Sequence, residues 1–217
     1  DIHLDAETNW TPIGYFEKEE NDSILFPFTG VFDGNEHKIF GLYQEFEDEN
    51  SCFGLFGYIH NAEIRNTIIV NCNITCKSQH ENSKVGGLIG VARKSIIENC
   101  HIEEGTITID ANDNTGGIVG FSVQNRIASC SNKAEIQNLN ASGIIGGIVG
   151  FSQDNEITDC KNFGKLSNGN YIGGIVGLSY GDNVSFCLNY GSLQGISIYS
   201  HVIGGIIGFS ALYHAQD

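Results

Sequence analysis

The sequence predicts an all-β protein: a right-handed parallel β-helix, or solenoid, of about 30-residue coils with an N-terminal β-hairpin cap. Three observations predict this fold. The phrase GGIVGFS occurs at Gly116–Ser122 and again at Gly146–Ser152, and related phrases recur along the chain. Other residue types recur in register with the phrase, and no apolar stripe of helical period accompanies it. Repetition at a fixed interval indicates that the phrase has a structural role rather than a catalytic one.

The first fifty residues lack the phrase, and we expect residues 1–50 to form the capping strands and hairpin. Asp33-Gly34 lies between the apolar pair Val31-Phe32 and the segment Lys38-Ile39-Phe40. An Asp-Gly pair flanked in this way is a strong hairpin signal. Trp10, the only Trp, is expected to pack within the cap rather than bind sugar. Such a cap would cover the core and the strand edges of the first coil.

Residues 51–217 are expected to form the solenoid repeats. They align on the last glycine of the phrase, at intervals of 33, 30, 30, 27 and 31 residues: Gly57, Gly90, Gly120, Gly150, Gly177 and Gly208. The position seven residues further on is apolar in every repeat: Ile64, Ile97, Ile127, Ile157 and Val184. We interpret each repeat as about three short strands separated by Asn, Asp and Gly turns. Which of Ile118 and Val119 faces inwards stays open, because glycines on both sides blur the alternation.

Two other β-rich or repeat folds fit the spacing less well. A propeller blade needs about 40 residues and usually four strands, and a leucine-rich repeat needs Leu columns that the chain lacks. The glycines are explained by tight turns and close backbone approach in a solenoid, where a Cβ atom costs most.

Two polar or thiol columns accompany the repeat. Ten residues after the aligning glycine stand Thr67, Cys100, Cys130, Cys160 and Cys187, and twelve after it stand Ile69, Ile102, Asn132, Asn162 and Asn189. Stacked Cys side chains have nearly parallel Cβ vectors, so we favour a buried column of reduced thiols over disulfides. Stacked Asn amides can donate and accept along the ladder and satisfy turn backbone groups, so we expect a structural role.

Charge narrows the classes of partner. The chain has 11 Lys and Arg against 26 Asp and Glu, a formal net charge of −15. This acidity disfavours nucleic acid and anionic membranes, and no apolar run is long enough to span a bilayer. The chain contains no Met and starts at Asp1, and its end, GGIIGFSALYHAQD, starts another copy of the repeat. We therefore expect a piece of a longer protein.

Catalytic motifs are not found, and no catalytic, cofactor-binding or metal residue is predicted. The segment closest to the zinc-peptidase motif HExxH has Lys in place of the second His; it is His80-Glu81-Asn82-Ser83-Lys84. The other histidines, at 3, 37, 60, 101, 201 and 214, share no column and are expected at the surface. Glycine phrases bind phosphate where a strand feeds a helix, and no helical pattern follows them here.

Two groups of oxygen-bearing side chains leave alternatives open. Coils could bring Asp154, Glu156 and Asp159 near Arg126, as a carbohydrate-active β-helix requires, but a surface salt bridge explains that group equally well. The segment Asp110–Gly116 matches the first ligand spacings of an EF-hand and then departs from the motif, so only a looser calcium site stays open. The acidic runs Glu17–Asp22 and Glu45–Asn50 are expected to be solvated loops.

The order of the motifs resembles a known family. An opening DIHL…WTPIG…FTGVFDGNEHKIFGL followed by iterated GLFG, GGLIG and GGIVG closely resembles the GLUG-motif repeat regions of bacterial surface proteins, over essentially the whole chain. That resemblance implies an extracellular, cell-surface or secreted β-helical region of a larger protein, often one involved in adhesion. Similar repeats occur in IgA-specific zinc metallopeptidases, outside the catalytic domain.

The function expected from these observations is that of a non-catalytic adhesive or spacer module. Its partner would be a host or bacterial surface protein or glycan, with no nucleic acid and no membrane insertion by this segment. One alternative is an accessory region that positions substrate for a secreted IgA-type metallopeptidase, and another is a carbohydrate-active β-helix. No cofactor is expected beyond the calcium left open above.

Overall fold

The computed structural model describes residues 1–19, 22–46, 52–77, 83–110, 113–195 and 202–211. All regular elements in this part of the chain are β-strands. Parallel sheets stack as a solenoid of about five turns of roughly 30 residues, so the predicted fold class is confirmed. In the described part, no helix is a candidate for crossing a membrane.

Each turn of the solenoid, which we call a coil, passes through five parallel sheets in a fixed order. Sheet 1 contains Cys52–Phe53, Lys84–Gly86, Asn114–Gly116, Ile144–Gly146, Tyr171–Gly173 and Val202–Gly204. Sheet 2 contains Phe56–His60, Ile89–Arg93, Val119–Val123, Val149–Gln153, Val176–Tyr180 and Ile207–Ala211. Sheet 3 contains Val31–Asp33, Glu63–Arg65, Ile96–Glu98, Arg126–Ala128, Glu156–Thr158 and Asn183–Ser185.

The last two sheets complete each coil. Sheet 4 contains Ile2–His3, Lys38–Phe40, Ile68–Val70, His101–Ile102, Ser131–Asn132, Lys161–Asn162 and Leu188–Asn189. Sheet 5 contains Tyr43–Phe46, Cys72–Cys76, Gly105–Ile109, Glu135–Asn138, Leu166–Ser167 and Leu193–Gln194. The sequence-based count of about three strands per repeat was too low, because strands of two or three residues are too short to show an alternating pattern.

The hairpin prediction at Asp33-Gly34 was wrong. Val31–Asp33 pairs in parallel with Glu63–Arg65, and Lys38–Phe40 pairs with Ile68–Val70, so the two flanking strands belong to different sheets. The Asp33-Gly34 turn is instead hydrogen-bonded to the next coil, where Gly34 N donates to Arg65 O at 2.9 Å. Sheet 4 therefore begins at Ile2 and sheet 3 at Val31, both inside the stretch expected to form the cap.

An antiparallel hairpin does occur earlier, between Tyr15–Glu19 and Asp22–Phe26. The residues on either side of it cover an edge: Ile13 and Phe28 form parallel bridges to the first strand of sheet 2. Trp10 packs against the core, and its indole Nε1 donates to Leu55 O at 3.1 Å. These contacts cover the first coil, as a cap must.

The core is a single apolar interior running along the stack. The predicted apolar column is fully buried at Ile64, Ile97, Ile127 and Ile157. Ile118 and Val119 are both fully buried, which answers the question left open by the sequence. The chain bends between sheets 1 and 2 at this point, so two consecutive side chains face the interior.

The glycines of the phrase are required by space rather than by backbone conformation. A Cβ atom on Gly116 would lie 2.1 Å from Val119 O, and one on Gly117 would lie 2.2 Å from Gly147 O. Neither glycine has a positive φ. Any side chain here would push sheets 1 and 2, or neighbouring coils, apart.

The Asn column forms the predicted ladder. Asn132 Nδ2 donates to Asn162 Oδ1 at 3.0 Å, and Asn162 Nδ2 donates to Asn189 Oδ1 at 2.9 Å. Each amide also bonds backbone two residues on; in Asn162 these partners are Gly164 O and Gly164 N. The amides therefore satisfy both each other and the turn.

A second ladder lies at the turn between sheets 2 and 3. Ser95 N donates to Asn125 Oδ1, Asn125 N to Asn155 Oδ1, and Asn155 N to Asp182 Oδ1, each at 2.7 Å. These residues all stand five positions after the aligning glycine. The fifth position after the aligning glycine is therefore a polar column that is visible in the sequence.

The seven cysteines are free thiols, and six of them are buried. In the predicted column, Cys130 Sγ donates to Ala128 O at 3.2 Å, and Thr67 takes the same place in an earlier coil by donating to Arg65 O at 2.9 Å. Burial raises the pKa of the Cys72 thiol to about 12. The Cys72 thiol therefore stays protonated at neutral pH, as expected for a small hydrophobic residue.

Candidate functional site: the outer groove

A groove runs along the outside of the solenoid where sheet 1 meets sheet 2. Val119 and Ser122 are both fully buried, so Gly120 and Phe121 between them lie on the outer side. A Cβ atom on Gly120 would lie 2.6 Å from Val85 N in sheet 1. The missing side chain thus lets the two sheets meet at a re-entrant corner, which we call the outer groove.

Two columns of side chains form its walls. On sheet 1 they occupy the register positions of Cys52, Lys84, Asn114, Ile144, Tyr171 and Val202. On sheet 2 they are Tyr58, Val91, Phe121, Phe151, Leu178 and Phe209. Cys52, Tyr58 and Val91 form an apolar cluster separate from the main core, with Phe121 packed against it. Five intervals between coils of about 4.8 Å give the groove a length of about 24 Å.

The aromatic rings of sheet 2 are stacked along the groove. Phe121 and Phe151 lie with ring centroids 4.7 Å apart and planes 4° apart. Tyr180 follows, 5.6 Å from Phe151. The guanidinium of Arg93, in the preceding coil, lies 5.6 Å from the centroid of Phe121. Both faces of Phe121 are therefore covered, and its edge is what it presents to the groove.

Over the first coils the groove encloses about 570 Å³. Its lining there is formed by Tyr58, His60, Lys84, Val91, Arg93, Lys94, Phe121, Val123 and Gln124. Three of these are Lys or Arg and none is acidic, although the chain carries a net charge of −15. A volume of this size suits a small-molecule or oligomer segment.

Two of the three cations in the groove lining, Arg93 and Lys94, are exposed. No ion pair joins Arg93 or Lys94 to another described residue. A second hollow, over sheets 3 and 4, differs in this respect: its Arg65 is held by Asp33 at 2.9 Å and by Glu63 at 2.5 Å. The positive charge of Arg93 and Lys94 is therefore the charge that a ligand in the outer groove would meet.

Burial tunes the titratable groups of the groove. Desolvation lowers the pKa of Lys84, with partial compensation from Cys52 and Asp113. Desolvation also raises the pKa of the Tyr58 hydroxyl, and burial raises the pKa of the Cys52 thiol to about 12. At neutral pH the wall formed by Cys52 and Tyr58 is uncharged. The imidazole Nδ1 of His60 is buried and has no hydrogen-bond partner among the described residues.

The carboxylate group considered for catalysis is not assembled as an active site. Arg126 and Glu156 are in register in sheet 3, as expected from their spacing. Arg126 Nη1 nevertheless contacts Glu98 at 3.5 Å, and Asp159 contacts Lys161 at 3.5 Å. These ion pairs lie between exposed side chains, the arrangement of a surface salt bridge.

The calcium candidate is only partly described, since Asp110–Gly116 includes residues 111 and 112, which lie outside the described residues. Asp113 is buried, and its Oδ1 accepts from Ser83 N at 2.7 Å, a structural role. Among the described residues no cluster of His, Cys, Asp and Glu could hold a metal ion. Most of His80-Glu81-Asn82-Ser83-Lys84 and much of the two acidic runs lie outside the described residues.

Two histidines are not at the surface as expected. His60 is half-buried in the outer groove, and His101 is half-buried on sheet 4. The ring of His101 contacts Ser131 Oγ at 2.8 Å and Asn99 Oδ1 at 2.9 Å. His201 and His214 lie outside the described residues.

The outer groove was missed by the sequence analysis, although a signal existed. The residue directly after the aligning glycine is apolar in all six repeats: Tyr58, Val91, Phe121, Phe151, Leu178 and Phe209. From the sequence, this column cannot be told from one that faces the core, because apolar residues also precede the glycine. Its outward direction follows from the bend at the glycine, which residue spacing does not encode.

Comparison with known proteins gives no relative: no family model matches the chain, and no curated protein or solved structure matches it significantly.

Proposed function

We propose that this chain is a non-catalytic repeat region of a bacterial cell-surface or secreted protein, and that it acts as an adhesive module through the outer groove. The observation that carries the proposal is the apolar and aromatic column on the outer side of sheet 2, in which Phe121, Phe151 and Phe209 are partly exposed. At one end of it lie Arg93 and Lys94, which form no ion pair with the other described residues. Contiguous apolar surface that does not join a core commonly serves binding. Resemblance to GLUG-motif regions supports the extracellular setting.

The test is a binding panel. The purified chain is incubated with a glycan array and with extracellular-matrix and immunoglobulin proteins, with and without calcium. We expect saturable binding to a restricted set of these ligands. Silence across the whole panel would contradict the adhesive role and leave a passive spacer.

Paired variants locate the binding surface. Phe121→Ser with Phe151→Ser removes two stacked rings outside the main core. The control, Phe163→Ser, removes an exposed ring stacked on Tyr190 at 5.1 Å in another part of the solenoid. We expect the double variant to bind at least tenfold more weakly and the control to bind like the parent chain. Equal binding by all three would rule out the outer groove as the contact surface.

A further inference from the structure

We propose that the outer groove over the first coils binds an anionic saccharide, a glycan segment that carries carboxylate groups. This inference rests on the proposed function and specifies the ligand of the same groove. It depends on the charge of the lining, on the orientation of the rings and on the hydrogen-bonding state of the backbone.

The first step is charge. Arg93 and Lys94 lie in an open groove whose lining contains no acidic residue among the described residues, in a chain with only 11 Lys and Arg. Arg93 and Lys94 form no ion pair with the other described residues. Elsewhere in the described structure, Lys38, Arg65 and Lys165 each face a carboxylate. A local excess of cations in an acidic protein selects an anion.

The second step is the ring orientation. Phe121 is covered on one face by Arg93 and on the other by Phe151, so it offers the groove its edge. The edge of an aromatic ring carries the positive part of its quadrupole, and the face carries the negative part. Edge-on rings therefore add to the attraction for anionic oxygens. A neutral sugar that needs an open ring face finds none on Phe121.

The third step separates a saccharide from a peptide. Ile89–Arg93 is paired on both sides, with Phe56–His60 and with Val119–Val123. No strand edge is open there for a peptide to extend the sheet, which is a common way for extended peptides to bind. The groove instead offers a side-chain group suited to hydroxyls, the amide of Gln124.

The experiment is isothermal titration calorimetry of the whole chain with tetragalacturonate, at low and moderate salt. Three further probes are used: its methyl ester, which removes the charge, a heparin-derived tetrasaccharide, and hexaglutamate. We expect tetragalacturonate to bind, the methyl ester to bind at least tenfold more weakly, and raised salt to weaken binding.

Arg93→Gln should weaken binding at least tenfold. Lys133→Gln, which removes an exposed cation on another face, should leave it unchanged. Circular dichroism melts check that both variants are folded.

The outcomes distinguish this inference from the proposed function. Equal binding of the acid and its methyl ester, or an unaffected Arg93→Gln, would overturn the anionic assignment. If hexaglutamate binds as tightly as tetragalacturonate, the saccharide assignment is overturned in favour of an acidic peptide. Tighter binding of the sulfated probe would overturn the assignment of carboxylate as the preferred anion. If no anionic probe binds while the double Phe variant still loses a partner from the panel, this inference fails and the proposed function stands.

Discussion

Gly117 shows how tightly single residues are held in this fold. Its missing side chain leaves room for the Gly147 carbonyl of the next coil and for the amide of Asn132 across the interior. In an earlier coil the equivalent Gly87 faces Ile102, the apolar residue of the same column. The second glycine of the phrase and the column that contains Asn132 therefore pack directly against each other.

Gly117→Ala should lower the free energy of unfolding by about 3 kcal/mol, because its Cβ would lie 2.2 Å from Gly147 O and 2.4 Å from Asn132 Cγ. Gly205→Ala is the matched control, since it occupies the same column in the last coil and its Cβ meets no described atom within 4 Å. That control should be neutral or stabilising by up to about 1 kcal/mol. Chemical denaturation measures both, and similar losses in the two variants would contradict the packing account.

His101 makes stability depend on pH. Desolvation lowers its pKa below the ordinary 6.5, opposed by Glu103 and reinforced by Lys133. Asn99 Oδ1 can only accept, so Nε2 carries the proton and Nδ1 accepts from Ser131, the neutral form of the ring. As pH falls below about 6.5, the unfolded chain takes up a proton before the folded chain does.

The sign follows from that order of protonation. The free energy of unfolding should fall as pH drops from about 6.5 towards the folded pKa, with a slope of at most about 1.4 kcal/mol per pH unit from this group. His101→Asn should remove that component, whereas His37→Asn, at an exposed position, should retain it. Denaturation curves between pH 5 and 7.5 measure the slopes, and a parent-like slope in His101→Asn would contradict the assignment.

At the scale of elements, the strands are too short to determine their own pairing. Side-chain ladders between coils fix the register of each strand. Ser131–Asn132 and Lys161–Asn162 have two residues each, yet their amides are bonded in line. The predicted roles of the Asn and Cys columns followed from recurrence alone. The hairpin at Asp33-Gly34 was predicted from local chemistry, but the backbone there bonds to a coil about 30 residues away. Local turn signals do not say which strands will pair.

Asn162→Ala should lower the free energy of unfolding by about 3 kcal/mol, because it leaves Gly164 N and Gly164 O in a buried turn without their amide partners. It also removes the acceptor of Asn132 and the donor to Asn189. The control is Asn73→Ala, at an exposed position on sheet 5, which should change stability by less than about 0.5 kcal/mol. Equal effects in thermal melts would show that the ladder adds nothing to stability.

For the whole molecule, the repeat spacing predicted the parallel solenoid, and the alignment of columns predicted much of its interior. The outer groove could not be predicted in this way. Its aromatic column was visible beside each glycine, but its outward direction depends on the bend between sheets 1 and 2. The approach of Lys84, Arg93 and Lys94 needs sheets 1 and 2 of one coil to be placed together. The length of the groove comes only from the stacking of coils.

The measurement that tests the groove most directly is an NMR titration of the isotope-labelled chain with the tightest ligand from the panel. We predict shifts concentrated in Phe56–His60, Ile89–Arg93 and Val119–Val123 of sheet 2 and in the facing strands of sheet 1. Sheets 3, 4 and 5 should stay unperturbed. Shifts centred on those three sheets, with the groove strands silent, would contradict the account.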